Sequence, residues 1–311
     1  MSEFAAGPAG RIERVRALMA ERGYDAIVVR DEANLRWLTG VKGVFDYTFE
    51  FPHAAFITVD QCLFHTDSRY LNSFEEKTPA GSPWVYDMDE GTIPGWVAGK
   101  IAANKCRVCA VEDEMQINFY QGIQRGLEDR SVACMLPLMH DDIRKMRAIK
   151  DAEEIELMRH AQSITDAAFQ HMLGFIKPGM TEKQVRNELE NFMFANGADS
   201  LAFGSIVASG PNTANPHAVP SDRVIEKGDF VLMDYGAGYC DYRSDMTRTV
   251  VMGEPTQEQL DLYALVRRTH EECVAAIHPG VEGNDIFKLS KKIIGDAGYG
   301  DYYNHGLGHG V

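Results

Sequence analysis

Two aspartates flanking a glycine-containing stretch are the residues of this chain best arranged for chemistry. Asp234 ends the apolar run Phe230-Val-Leu-Met, and Asp245 opens Asp245-Met-Thr-Arg-Thr-Val-Val. Strand-forming runs around such a middle predict a β-hairpin over 230–252, with Asp241 in its turn. A turn centred between Tyr239 and Cys240 would set Asp234 directly opposite Asp245 on one face, with Cβ atoms about 4.5–5.5 Å apart. Bare carboxylates near 4 Å repel by roughly 4 kcal/mol at an effective dielectric of about 20, so a divalent cation or a shared proton must compensate. The alternative is that one aspartate belongs to the turn and the other is solvated.

Histidines add to this set. In His305-Gly-Leu-Gly-His309-Gly-Val311 three glycines argue against a helix and for extended chain that something approaches closely. Both rings would share a face of a strand, yet four residues span about 13 Å. One histidine would then be a ligand and the other would lie further along a cleft. A third, His217, ends Ile206-Val-Ala-Ser-Gly-Pro-Asn-Thr-Ala-Asn-Pro-His217, where a strand runs into a loop of turn formers.

The elements that must position these groups fall into two regions. Helices are expected over 11–22, 32–38, 94–103 and 116–127, and strands over 25–30, 54–59, 62–65 and 107–112. Their alternation makes 1–139 an α/β domain without a phosphate-binding glycine loop. A charged helical connection over 140–160 leads into the second domain, 140–311. That domain holds a weak repeat: Ile176-Lys-Pro-Gly-Met returns as Ile277-His-Pro-Gly-Val, and Val185 and Gly197 match Ile286 and Gly298 at the same spacing. Each copy reads as a helix stopped at Pro-Gly, a second helix and a strand-like segment, with Thr181 and Gln184 forming a capping box. Two such halves would enclose a cleft.

Composition narrows the function classes. The 311 residues are 45% hydrophobic, enough for a sizeable core, and the formal net charge of −15 disfavours nucleic acid and anionic membranes as partners. No segment approaches the ~20 apolar residues of a membrane span and no signal peptide is evident, so a soluble cytoplasmic protein is expected. Six cysteines without a regular framework suit a reducing compartment. The lone Cys106-Arg-Val-Cys109 pair lies in a predicted strand, where residues three apart face opposite ways, and is expected to be structural.

Together these stretches resemble the pita-bread metallopeptidases, the aminopeptidase P and Xaa-Pro dipeptidase (prolidase) group. The paired aspartates with the Ser-Asp-x-Thr-Arg-Thr ending match Asp234 and Asp245, the H-G-x-x-H segment matches His305 to His309, and the upstream histidine matches His217. Asn34-Leu-Arg-Trp-Leu-Thr-Gly40, Thr66-Asp-Ser-Arg-Tyr70 and Ile143-Arg-Lys-Met-Arg-Ala-Ile-Lys150 extend the likeness to the creatinase-type amino-terminal domain and the connection.

The resemblance implies an α/β amino-terminal domain followed by an α+β pita-bread catalytic domain that hydrolyses the bond between an amino-terminal residue and proline. By the same resemblance Asp234, Asp245 and His309 are metal ligands, and His217 and His305 act on substrate. Two divalent ions are implied, manganese first, with cobalt or zinc as alternatives. Proline-containing di- or oligopeptides would be the substrates and a homodimer the assembly. The family's two glutamate ligands follow the H-G-x-x-H segment and have no counterpart before Val311. The chain is therefore expected to be a fragment, incomplete at its carboxyl end and inactive alone. Other functions of this fold are a sulfonium lyase, a carbon–nitrogen hydrolase and a catalytically inactive binding module.

Overall fold

The protein is described from a computed structural model that covers residues 7–45, 51–88 and 91–310. The chain divides into two compact units, Met1–Glu156 and Leu157–Val311. The expected boundary at 139/140 lies earlier, ahead of a short helix that belongs with the first unit.

In the first unit a five-stranded sheet is covered on both faces. Its strands are β1 (Ala26–Val29), β2 (Ala54–Thr58), β3 (Cys62–His65), β4 (Val85–Asp87) and β5 (Cys109–Val111), in the order β4-β3-β2-β1-β5. The β1–β2 and β2–β3 pairs are antiparallel, and β1–β5 and β3–β4 are parallel. Every residue of β1 is buried, which is why it reads as a continuous apolar run rather than an alternating one.

Ile27 and Val29 face one cluster, built with α1 (Gly7–Arg22), α2 (Glu32–Thr39), α3 (Leu71–Lys77) and the packed Trp37 and Trp84. Ala26 and Val28 face a second, built with Trp96 on α4 (Ile93–Ala103) and with α5 (Ile117–Asp129). The short α6 (Asp142–Ala148) adds Ile143 to the first cluster. All six cysteines are unpaired, and burial pushes the Cys106 thiol up to about 11, in keeping with a structural Cys106/Cys109 pair.

The second unit contains two three-stranded sheets. Strands β7 (Ile206–Ser209), β8 (Phe230–Tyr235) and β11 (Met246–Val251) form one, in the order β11-β8-β7. Strands β6 (Ser200–Leu201), β9 (Ala237–Tyr239) and β10 (Tyr242–Arg243) form the other, in the order β10-β9-β6. Burial along β8 alternates strictly: Val231, Met233 and Tyr235 pack on Ile164, Ala168 and Met172 of α7 (Ala152–Phe175) and on Val185, Leu189 and Met193 of α8 (Glu182–Ala195). Period-2 alternation puts Asp234 on the face turned away from those helices.

The repeat is visible in the backbone. Gly179 and Gly280 both take positive φ (96° and 89°) after their helices, as do Gly197 and Gly298 (99° and 87°) after the next. The expected capping box is present, with Gln184 N donating to Thr181 Oγ1 and Thr181 N to Gln184 Oε1. The second copy, α9 (Gln257–Ala275) and α10 (Gly283–Asp296), is followed by a single 3-10 turn, Gly300–Tyr302, and not by a strand.

Candidate metal centre

The hairpin over 230–252 forms, but its register differs from the expected one. Asp234 pairs with Thr247 across β8–β11, and Tyr239 pairs with Tyr242 across β9–β10. The turn is therefore centred between Cys240 and Asp241, whose φ angles of 48° and 69° are those of a two-residue loop that follows the sheet twist. Asp199 Oδ2 holds this turn by accepting from Cys240 N at 2.7 Å. The partner of Asp234 moves by two residues, so Asp245 stays on the same face as a diagonal neighbour instead of lying directly opposite.

A pinch in the hairpin places Asp245. At Gly236 the chain leaves β8 for β9, and a Cβ there would lie 1.9 Å from the carbonyl oxygen of Ser244. The approach is tied by three groups. Thr165 and Ser244 hydroxyls lie 2.6 Å apart, Ala237 N donates to both at 3.0 Å, and Ser244 N donates to Ala237 O at 3.0 Å. Ser244, Thr165 and the bare α-carbon of Gly236 thus fix the backbone next to Asp245. Only the Ser-Asp pairing of the motif hinted at this; Thr165 carried no sequence signal.

The electrostatics of the pair follow from the geometry. Burial first, and then the charge of Asp234, hold the Asp245 carboxyl above the usual range, while His309 pulls it back. Asp234 is oriented by Thr247, whose hydroxyl donates to Oδ1 at 2.8 Å. His309 Nε2 lies 3.8 Å from Asp245 Oδ2. Its Nδ1 donates to the carbonyl of Gly310 at 2.9 Å, which leaves Nε2 as the ring nitrogen turned toward the carboxylate. A gap of 3.8 Å is too long for a hydrogen bond, yet within what two bonds of about 2.1 Å to one ion allow.

The donor types, two carboxylates and an imidazole nitrogen, suit a divalent cation, and the only close approach among these described residues is that of His309 to Asp245. Among the described residues no three His, Cys, Asp or Glu side chains come together in a group that could hold an ion, so Asp234, Asp245 and His309 do not form a three-ligand site as they stand.

Among the described residues, neither of the other two histidines forms a hydrogen bond or ion pair with these three. The segment after Tyr302 is irregular and exposed, and the strand expected over the glycine-rich end does not form among its described residues. There His305 bonds through Nδ1 to Gly306 O at 2.7 Å and packs edge-on against Tyr303, 4.9 Å between ring centres. His217 is exposed on the loop after the 3-10 turn Gly210–Ala214, its backbone N bonded to Asn215 Oδ1. Its ring makes no hydrogen bond or ion pair among the described residues. The strand leading to that loop, β7, is bound to the aspartate strand, with Ile206 paired to Asp234 itself.

Residues 156–311 match the sequence profile of metallopeptidase family M24, and residues 11–149 that of the creatinase/prolidase N-terminal domain. The chain belongs to metallopeptidase family M24. Its first unit is accordingly a creatinase-type domain and its second a pita-bread domain. An uncharacterized peptidase of Bacillus subtilis is 34% identical over 97% of this chain and 82% of its own length. A Xaa-Pro dipeptidase of Pyrococcus horikoshii is 42% identical over 55% of the chain, a match spanning 49% of that protein.

Among solved structures, a Xaa-Pro dipeptidase from Bacillus anthracis superposes with a TM-score of 0.86 at 34% identity, covering 97% of this chain and 81% of its own. An X-Pro aminopeptidase from Thermotoga maritima does so with a TM-score of 0.83 at 30% identity, covering 97% and 82%. No described helix of this M24 chain is long and apolar enough to cross a membrane.

Proposed function

We propose that this M24 chain carries the metal centre of a Xaa-Pro peptidase, which hydrolyses the bond between an amino-terminal residue and proline. The observation that carries the reading is the carboxylate pair: Asp234 and Asp245 share one face of a pinched hairpin, and His309 Nε2 lies 3.8 Å from Asp245 Oδ2. The names of the relatives, dipeptidase and aminopeptidase on the same bond, support the substrate class.

Asp234, Asp245 and His309 would hold divalent ions, with manganese proposed for this oxygen-rich set. Bound there, the ions supply a Lewis acid for the scissile carbonyl and a water of lowered pKa. The chain's own residues prepare the rest. Thr247 locks the Asp234 carboxylate in one orientation, and the pinch at Gly236 and Ser244 keeps Asp245 beside it. His217 and His305 are proposed as hydrogen-bond donors to the charge that develops on the substrate carbonyl or on the departing proline nitrogen. We also propose a homodimer in a reducing, cytoplasmic setting, the latter supported by six unpaired cysteines.

The test is release of the residue before proline from Xaa-Pro and Xaa-Pro-Yaa peptides by the full-length protein with added Mn²⁺. Cleavage that is lost with chelator and in Asp245→Ala supports the reading, and the peptide cut assigns dipeptidase or aminopeptidase. Bound metal without cleavage would instead favour a lyase or a carbon–nitrogen hydrolase, and neither metal nor cleavage a binding module.

A further inference from the structure

Glu182, the first residue of α8, has no part in the hairpin, yet its carboxylate is fully buried and accepts five hydrogen bonds. Oε1 takes Ser209 N (2.7 Å), Ser209 Oγ (2.8 Å) and Asn212 Nδ2 (3.0 Å). Oε2 takes Ser221 N (2.9 Å) and Ser221 Oγ (2.7 Å). One carboxylate thus grips both ends of the loop that carries His217. Ser209 is the last residue of β7, the strand paired with β8, and Ser221 lies just beyond His217.

A second grip reinforces the first. Arg223 Nη1 donates to Ser209 Oγ at 2.7 Å and to Asp229 Oδ2 at 2.6 Å, and Glu182 N donates to Arg223 O. Between the two anchors Pro211, Pro216 and Pro220 restrict the chain further. Nothing else among the described residues holds the exposed His217 ring, so its place is set by the two ends of its loop.

We propose that Glu182 is a positioning residue that fixes the His217 loop against the strand bearing Asp234, an inference that rests on the role proposed above for His217. The carboxylate suits this task because all five partners are donors. Burial raises the Glu182 pKa, but the bonds from Ser221, Asn212 and Ser209 outweigh it, and the group is held below its ordinary value. A glutamine of the same shape would replace one acceptor oxygen with an N–H₂ that must face a backbone N–H, of Ser209 or of Ser221. The serine hydroxyls can rotate to adapt, whereas the backbone donor cannot.

Glu182→Gln, Ser221→Ala, His217→Ala and Glu182→Gln/His217→Ala are compared by amide hydrogen exchange and by Xaa-Pro cleavage in the full-length protein. Glu182→Gln is expected to speed exchange over 209–221 by about tenfold or more, with β8 and β11 unaffected. Ser221→Ala, which deletes one hydroxyl only, should show a smaller effect confined to the same loop. Cleavage should lose between about tenfold and a hundredfold in kcat with little change in KM, and the double variant should be no slower than His217→Ala.

Unchanged exchange over 209–221, or loss of protection spread across the whole second unit, would overturn the inference, as would kinetic effects of Glu182→Gln and His217→Ala that multiply. Absence of cleavage by the unsubstituted protein would count against the peptidase reading alone, leaving the exchange pattern to decide for Glu182.

Discussion

At the scale of single residues, Asp245 and His53 are held where ionisation opposes stability. Asp245 is held above its normal pKa by burial and by Asp234, so without metal the pair is a source of repulsion. Asp245→Asn is expected to leave the metal-free protein as stable or up to about 1 kcal/mol more stable in urea titration, while Mn²⁺ uptake by calorimetry is lost. His53 shows the opposite sign of titration. Fully buried among Phe45, Phe51, Phe64, Tyr70 and Phe74 and bonded to Thr66 Oγ1, it is pushed down from 6.5 to about 4, chiefly by desolvation.

Asp67 opposes that shift, and His65, Arg69 and Arg30 add to it. Between pH 6.5 and about 4 the unfolded chain therefore binds a proton that the folded chain does not. Folding stability should fall by about 3 kcal/mol across that window on account of this residue. Urea midpoints for His53→Gln, measured at pH 7 and pH 4.5, should show a correspondingly flatter dependence.

At the scale of elements, the hairpin pinch is the feature on which the aspartate geometry depends. Gly236→Ala would drive a methyl group into the Ser244 carbonyl at 1.9 Å, a backbone atom that cannot rotate away. A loss of more than about 3 kcal/mol in urea unfolding is expected, together with weakened metal binding as Asp245 is displaced. The two strands themselves were legible from sequence, because apolar alternation and flanking polarity are local signals. The turn centre was not, because Cys240 and Asp241 adopt left-handed angles without the Asn-Gly or Asp-Gly that normally advertises them.

Parity rescued the inference about the site: a shift of two residues in the partner of Asp234 preserves its face. The terminal histidine segment failed differently. Glycine content describes what a chain tolerates, whereas a strand needs a partner edge, and no local pattern supplies one. Glu182 drew no reading from the sequence, since its five partners come from positions 209–221 and sequence proximity does not reveal them.

At the scale of the whole molecule, the family match and the division of the chain agree that two cores coexist, each with its own sheets and helices. Asp234, Asp245, His217, Glu182, His305 and His309 all lie in the second. Saturating Mn²⁺ at about 100 times its dissociation constant adds about 2.7 kcal/mol to whatever unit binds it. Scanning calorimetry should then show a chelator-sensitive transition, raised by roughly 5–10 °C with metal, and a second transition that ignores chelator. A single transition moved as a whole would mean that the units melt together.

The placement of the aromatic residues decides how that experiment can be read by eye. Trp37, Trp84 and Trp96 are the three tryptophans of the chain, and all are packed in the first unit. Intrinsic indole emission is consequently a private reporter of the creatinase-type domain, and the metal-binding half is dark at those wavelengths. A melt followed by fluorescence alone would record chelation as having no effect, however large the stabilisation. A tryptophan introduced for Phe192, which packs against the second core, would light that half separately.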